Sequence, residues 1–114
     1  MWSVEYYQSE NGRFQVAEFI DSLDAKSKAK VAWTLDLLEE FGVDLGMPYA
    51  RRLKKQLWEL RIRHGTNRYR IIYFLATGQT FVLLYGLIKK SGPVPKSDIE
   101  IAKSRMDDYL SRGR

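Results

Sequence analysis

The chain has 114 residues, of which 45% are apolar and 29% charged, with no cysteine, a single histidine and a formal net charge of +5. That length suits one globular domain with one core, and the lack of cysteine excludes disulfides and thiolate chemistry. With one histidine, neither a metal site nor any cofactor is expected; no apolar run is long enough to span a bilayer as a helix, and no basic-then-apolar leader opens the chain, so a cytoplasmic protein without a membrane partner is expected.

Trp2 to Tyr7 alternates and is rich in aromatics, which predicts a first strand. After the turn Gln8 to Gly12, the spacing of Phe14, Ala17, Phe19, Ile20 and Leu23 predicts a short helix. Asp24 is placed to cap a second helix over Lys28 to Phe41, with Val31, Leu35 and Leu38 as its apolar stripe. Gly42 stands where a left-handed C-terminal cap belongs, and the short break Asp24-Ala25-Lys26-Ser27 joins the two helices as a hairpin. A loop and the basic run Arg51 to Lys55 lead into three strands, Leu57–Arg63, Arg68–Leu75 and Phe81–Lys89. Their short glycine-containing connections predict an antiparallel meander. A last helix starts near Pro95 or Ser97, where Ser97-Asp98-Ile99-Glu100 matches a capping box, and buries Ile99, Ala102, Met106 and Tyr109. The order β-α-α-β-β-β-α is an α+β fold, a mostly antiparallel sheet with a helical hairpin on one face and a C-terminal helix, in a single domain over residues 1–114. Trp2, Trp33 and Trp58 read as packing residues.

Charge is distributed unevenly. Residues 1–50 carry four Lys or Arg against nine acids, a formal −5, while residues 51–114 carry fifteen against five, a formal +10. Such an asymmetry is the electrostatic footprint of a nucleic-acid or acidic-partner surface. If the loop His64–Asn67 closes its hairpin symmetrically, Arg63 pairs with Arg68, Arg61 with Arg70 and Glu59 with Ile72, so four arginines and one glutamate share a face. Like charges directly across a ladder cost up to about 1 kcal/mol each, so a chain that accepts this twice has a use for the positive field. The charge lies on strands, and no helix-turn-helix with a basic recognition helix is evident, which argues against a DNA-reading regulator.

LKKQLWELRI, then RYRIIYF, a glycine-containing turn, FVLLYGLIKK and a proline-led helix with AKSRMDDYL resemble, in that order and spacing, the phage-derived HigB-like (Gp49-like) branch of the RelE toxin superfamily. The likeness is closest over Arg51–Tyr109. It implies a RelE-like fold and the toxin of a type II toxin–antitoxin system, a metal-independent endoribonuclease that cuts messenger RNA in the translating ribosome. It also implies a cognate antitoxin, usually of helix-turn-helix type. Arg70 matches the superfamily's strand arginine that stabilises the reacting phosphate, Arg61 a strand arginine common in this branch, and Lys89-Lys90 a basic pair at the same task. Two positions depart from the pattern. Glu59 stands where some relatives have a lysine as proton acceptor, and Tyr85 where this branch often carries histidine.

Metal-free RNA cleavage needs the 2′-OH deprotonated, the in-line phosphate stabilised and the leaving 5′-oxygen protonated. Fixed guanidinium and ammonium groups supply the second need, which assigns it to Arg61 and Arg70 with Lys89 or Lys90 as helper. Glu59 is either the base or an ion-pair partner of a neighbouring arginine, since nearby positive charge lowers a carboxylate's pKa. Tyr85 is either a proton donor or a packing residue. His64, in a hairpin loop, suits contact with solvent or RNA better than catalysis. Arg51, Arg52, Lys54, Lys55, Arg63 and Arg68 are expected to hold RNA backbone, and Tyr73 or Tyr85 offers a ring for base stacking. The alternative to a nuclease is a non-catalytic RNA- or antitoxin-binding module on the same fold.

Overall fold

The computed structural model describes residues 1–89 and 91–113. Among them are five strands and three α-helices: β1 (Ser3–Tyr6), α1 (Gln15–Asp21), α2 (Ala25–Phe41), β2 (Ala50–Lys54), β3 (Leu57–His64), β4 (Asn67–Thr77), β5 (Thr80–Ile88) and α3 (Lys96–Ser111). The strands form one mixed sheet in the order β1-β5-β4-β3-β2, antiparallel throughout except for β1, which runs parallel to β5. The architecture is therefore α+β with a five-stranded sheet rather than the four strands expected from the sequence. The additional strand is the basic run itself. β2 lies at a sheet edge with a bulge between Arg52 and Lys54, a position where charged residues and a bulge both hinder pairing with a further chain.

The sheet is covered on both faces. Leu60, Ile62, Tyr69, Ile71 and Tyr73 pack with Val31 and Leu38 of α2 and Val16 of α1, whereas Leu57, Ile72, Phe74, Val82 and Leu84 pack with Ala102, Met106 and Tyr109 of α3. Buried and partly buried polar contacts fix both layers. The hydroxyls of Ser27 on α2 and Tyr69 on β4 lie 2.8 Å apart, the Tyr7 hydroxyl donates to Asp108 at 2.6 Å, and Arg105 of α3 donates to the Leu84 carbonyl at 2.8 Å. Paired groups of this kind avoid the cost of an unsatisfied buried donor.

Local signals place the ends of the helices. Asp24 accepts from the Ser27 N–H at 2.7 Å and starts α2, as its sequence predicts. α3 starts at the first of its two expected places: its N-cap is Pro95, whose carbonyl accepts from Asp98 and Ile99, so Ser97 lies inside the helix and the capping box is not used. In α1 the buried residue is Val16, and Phe14 is exposed rather than part of the apolar stripe.

Gly42 ends α2 at φ 56° and ψ −127°, with the positive φ expected of it but not the left-handed helical cap, and a Cβ there would fall 2.0 Å from the Trp2 ring. Both the backbone and the space exclude a side chain. Gly42→Ala is expected to destabilise the fold by at least about 1–3 kcal/mol, from positive-φ strain plus displacement of Trp2. Urea unfolding with tryptophan fluorescence checks this, and a midpoint unchanged from wild type rejects it.

Candidate functional site

The β3–β4 hairpin has the expected register, but its turn is the two residues Gly65 and Thr66 rather than four, and His64 belongs to β3, paired with Asn67, rather than to the loop. Arg61 lies opposite Arg70, Arg63 opposite Arg68 and Glu59 opposite Ile72. Alternation along a strand then puts Glu59, Arg61 and Arg70 on the face covered by α3. The β2 pairing adds Arg51, exposed to solvent, directly opposite Glu59 on that face.

Glu59 explains how this row of like charges is tolerated. Its side chain is fully buried and its Oε1 lies 3.1 Å from Arg70 Nη1 and 3.4 Å from Arg61 Nε. One carboxylate oxygen thus bridges the two guanidinium groups that the register forces together. The other, Oε2, is buried with no hydrogen-bond partner among the described residues. Arg70 is itself buried, with 4% of its side chain exposed, and its Nη2 donates to the Gly92 carbonyl at 3.4 Å. Burial depresses the Arg70 pKa from its usual value; Glu59 opposes that effect, and the charges of Arg61 and Arg51 add to it. A guanidinium starts so far above neutrality that Arg70 remains charged. Arg61 keeps a third of its side chain in solvent, so of the pair it is the one with a free approach.

Tyr85 reaches the same face because β5 shifts register between the partners of Ile72 and Tyr73, which sets Tyr85 opposite Ile72. Its hydroxyl donates to Asp98 of α3 at 2.7 Å. That hydrogen bond, then burial and the Asp98 charge, raise the tyrosine pKa, and Arg105 partly offsets the rise. The half-buried Lys89 follows β5; its N–H donates to the Arg68 carbonyl, and its Cε lies 4.0 Å from where a Cβ on Gly92 would stand. Lys89 therefore stands beside the loop that holds Arg70. Lys90 lies outside the described residues.

The remaining basic residues separate into two places. Arg63 and Arg68 join Arg61 and Arg70 at a cavity of about 470 Å³ that reaches both faces of the sheet where β3 has no β2 partner beyond Leu60. Ile62, Lys30 and Thr34 of α2 and the loop Met47–Tyr49 also line it. Arg52 lies opposite Trp58, on the other face from Arg51, and donates to the Lys55 carbonyl. Lys54 and Lys55 flank a second cleft of about 370 Å³ against Lys96 and Lys103 of α3, floored by Leu57, Ile99 and Met106. The run Arg51–Lys55, continuous in sequence, thus points in three directions.

Three contributors to the arginine cavity do not stand out in the sequence. Lys30 comes from the acidic half of the chain; its position four residues before Thr34 on the sheet-facing side of α2 was the available signal. Met47 and Tyr49 sit in a loop without periodicity; the Tyr49 carbonyl accepts from the Arg61 N–H at 2.7 Å, and the Met47 sulfur lies 3.7 Å from Arg61 Nη1. Two aromatic expectations also change. Tyr73 is only 3% exposed and offers no ring to a base, whereas Trp33 is 44% exposed rather than packed.

Among the described residues no group of three His, Asp or Glu is arranged to hold a metal ion, and no helix is long and apolar enough to cross a membrane. What the site offers chemically is a fixed cluster of positive charge in a concave, partly apolar setting, suited to a phosphate-bearing chain. No curated protein matches the chain. The model of phage-derived Gp49-like proteins matches residues 18–107, which include α2, the second through fifth strands and every residue named at the site. With that match over most of its length, the chain belongs to the phage-derived Gp49-like family, a RelE/toxin-like family.

Proposed function

We propose that this protein is the toxin of a cytoplasmic toxin–antitoxin pair, with a RelE-like fold, and that it cuts messenger RNA in the translating ribosome without a metal. The observation that carries the reading is the cavity in which β3 and β4 present Arg61, Arg63, Arg68 and Arg70 together, with Glu59 fixing two of them. In the reaction the 2′-hydroxyl gives its proton to water, the 2′-oxygen attacks the adjacent phosphorus, a cyclic phosphate forms as the bond from phosphorus to the 5′-oxygen breaks, and the 5′-oxygen takes a proton from water. Charge gathers on the phosphoryl oxygens on the way. Guanidinium groups already in place stabilise that charge without reorganising, and such fixed electrostatics usually contribute more to rate than any other single effect. Arg61 is assigned to the phosphate directly and Arg70 as the fixed charge behind it, with Lys89 or Lys90 assisting. Glu59 positions both arginines; a buried carboxylate bridging two cations is poorly placed to take a proton from substrate. Tyr85, held by Asp98, becomes a proton donor only if α3 yields that contact. Arg51, Arg63 and Arg68 steer RNA backbone toward the cavity, and Arg52, Lys54 and Lys55 serve contacts away from it.

An antitoxin is the partner this reading requires, and covering the arginine cavity is its simplest mode of action. Displacement of α3 is disfavoured, because Ala102, Met106 and Tyr109 are buried under it and two partly buried hydrogen bonds, Arg105 to the Leu84 carbonyl and Tyr7 to Asp108, tie it to β5 and to the residue after β1. A non-catalytic binding module is the second reading, favoured by one observation: neither Glu59 nor Tyr85 presents a free acid or base.

Primer extension on a reporter messenger in a reconstituted translation reaction decides between them. Cuts are expected with wild type and absent without ribosomes. Cuts on naked RNA retain the nuclease and remove the ribosome. An intact messenger, with the protein still binding RNA or an antitoxin, establishes the non-catalytic module.

A further inference from the structure

Trp33 is a large aromatic side chain left in solvent on the outer part of α2, yet it is not isolated. Its ring meets Tyr49 edge-on, with centroids 5.7 Å apart, and the Lys30 ammonium lies 4.4 Å over it. Tyr49 and Lys30 both line the arginine cavity, and Trp33, which does not line it, stands just outside in contact with both. Met47, 59% exposed, and Pro48 continue the apolar lining beside Tyr49. The cavity thus has a cationic side from two strands and, in Tyr49, an aromatic residue on its loop side, which the exposed Trp33 ring extends outward. Its volume of about 470 Å³ lies within the ordinary range of small-molecule pockets.

A cationic side next to exposed rings is the pattern that single-stranded nucleic acid recognises, since backbone lies along positive charge while bases stack on aromatic faces. The second cleft, between the β2–β3 turn and α3, has lysines and an apolar floor but no aromatic residue, and so lacks that pattern. We infer that Trp33 and Tyr49 form a nucleobase subsite, which stacks the base of a nucleotide whose phosphate lies against Arg61. This rests on the proposed RNA substrate and assigns its base side. Lys30 occupies the Trp33 ring with the mobile end of a long side chain. An incoming base takes that ring face, and the ammonium moves to a phosphate oxygen. Stacking tolerates every base but favours the larger ring systems, so the subsite selects purine over pyrimidine at one position near the cut.

The test is a cut map in the reconstituted translation reaction for wild type, Trp33→Ala and Trp33→Phe. Wild type is expected to cut with a purine at one fixed position. Trp33→Ala is expected to lose about tenfold in cutting at those sites and much less at pyrimidine sites, which flattens the preference; Trp33→Phe retains most of it. Trp33 is exposed, so its replacement leaves the fold intact, and near-ultraviolet circular dichroism verifies this. A Trp33→Ala map with wild-type rate and preference, or a wild-type map with no purine position, overturns the subsite and leaves the nuclease standing. Absence of cuts by wild type overturns the RNA reading itself, and the subsite with it.

Discussion

Arg70→Met is expected to unfold at markedly lower urea than wild type, with a loss on the order of 3 kcal/mol, and Glu59→Leu is expected to do the same. The reason lies in the carboxylate between the arginines. Glu59 is fully buried and takes both its close contacts, at 3.1 and 3.4 Å, from Arg70 and Arg61. Removing Arg70 strips a buried anion of its nearer partner, and Arg61, partly in solvent, replaces it only in part. Removing Glu59 leaves two guanidinium groups opposed across the ladder with nothing between them. Together, Arg70→Met and Glu59→Leu set two apolar side chains beside Ile72 and Leu57, in a layer already packed against α3. Replacement of a buried ion pair by apolar groups of similar volume is commonly neutral or stabilising. The double variant is therefore expected to return to within about 1 kcal/mol of wild type while losing function. Denaturation midpoints at constant slope measure all three. If the two losses simply add in the double variant, the pair is not coupled and the bridging role of Glu59 is wrong. Arg70→Ala is for the same reason an ambiguous probe of catalysis, because part of any lost activity would be lost protein.

The hairpin register was legible in the sequence because it depends on a loop count and a two-residue alternation, both local. Arg61 opposite Arg70 followed directly, as did Asp24 and Gly42 at the ends of α2, where one side chain or one backbone angle suffices. β2 was not legible as a strand. It has one apolar residue for each face, Ala50 and Leu53, and a bulge interrupts its pairing, so no alternation stands out among the charges. That omission hid the opposition of Arg51 to Glu59 and the divergence of Arg51 from Arg52. The face taken by Tyr85 depends on a register shift in β5, which a sequence pattern does not mark. Glu59 shows a further limit. A charged residue between Trp58 and Leu60 fits either a solvent face or a buried bridge, and only α3, nearly forty residues away, decides that this face is covered. The aromatic pair beside the cavity was hidden for the same reason: Trp33 is exposed on its own helix and acquires meaning only from Tyr49, which a separate loop brings beside it.

Arg61 is the residue at which catalysis and stability separate. Its side chain is one-third exposed, it lines the cavity, and it is the more distant of the two partners of Glu59. Without it, the Arg70–Glu59 pair stays intact at 3.1 Å, with Gly92 still bound to Arg70. Arg61→Ala is thus expected to shift the unfolding midpoint little and to reduce the rate of messenger cleavage about 10²–10³-fold, the usual consequence of removing one pre-placed donor from a developing oxyanion. Arg61→Lys keeps the charge but not the forked geometry, and is expected to recover only part of the rate. Arg63→Ala serves as the contrasting case. An arginine that only holds backbone lowers affinity and flattens the dependence on salt, with the rate at saturation nearly unchanged. Single-turnover cleavage at two salt concentrations distinguishes the two roles. Equal losses at Arg61 and Arg63 that disappear at low salt would mean that the whole cluster only steers, and that the group which stabilises the reacting phosphate lies elsewhere.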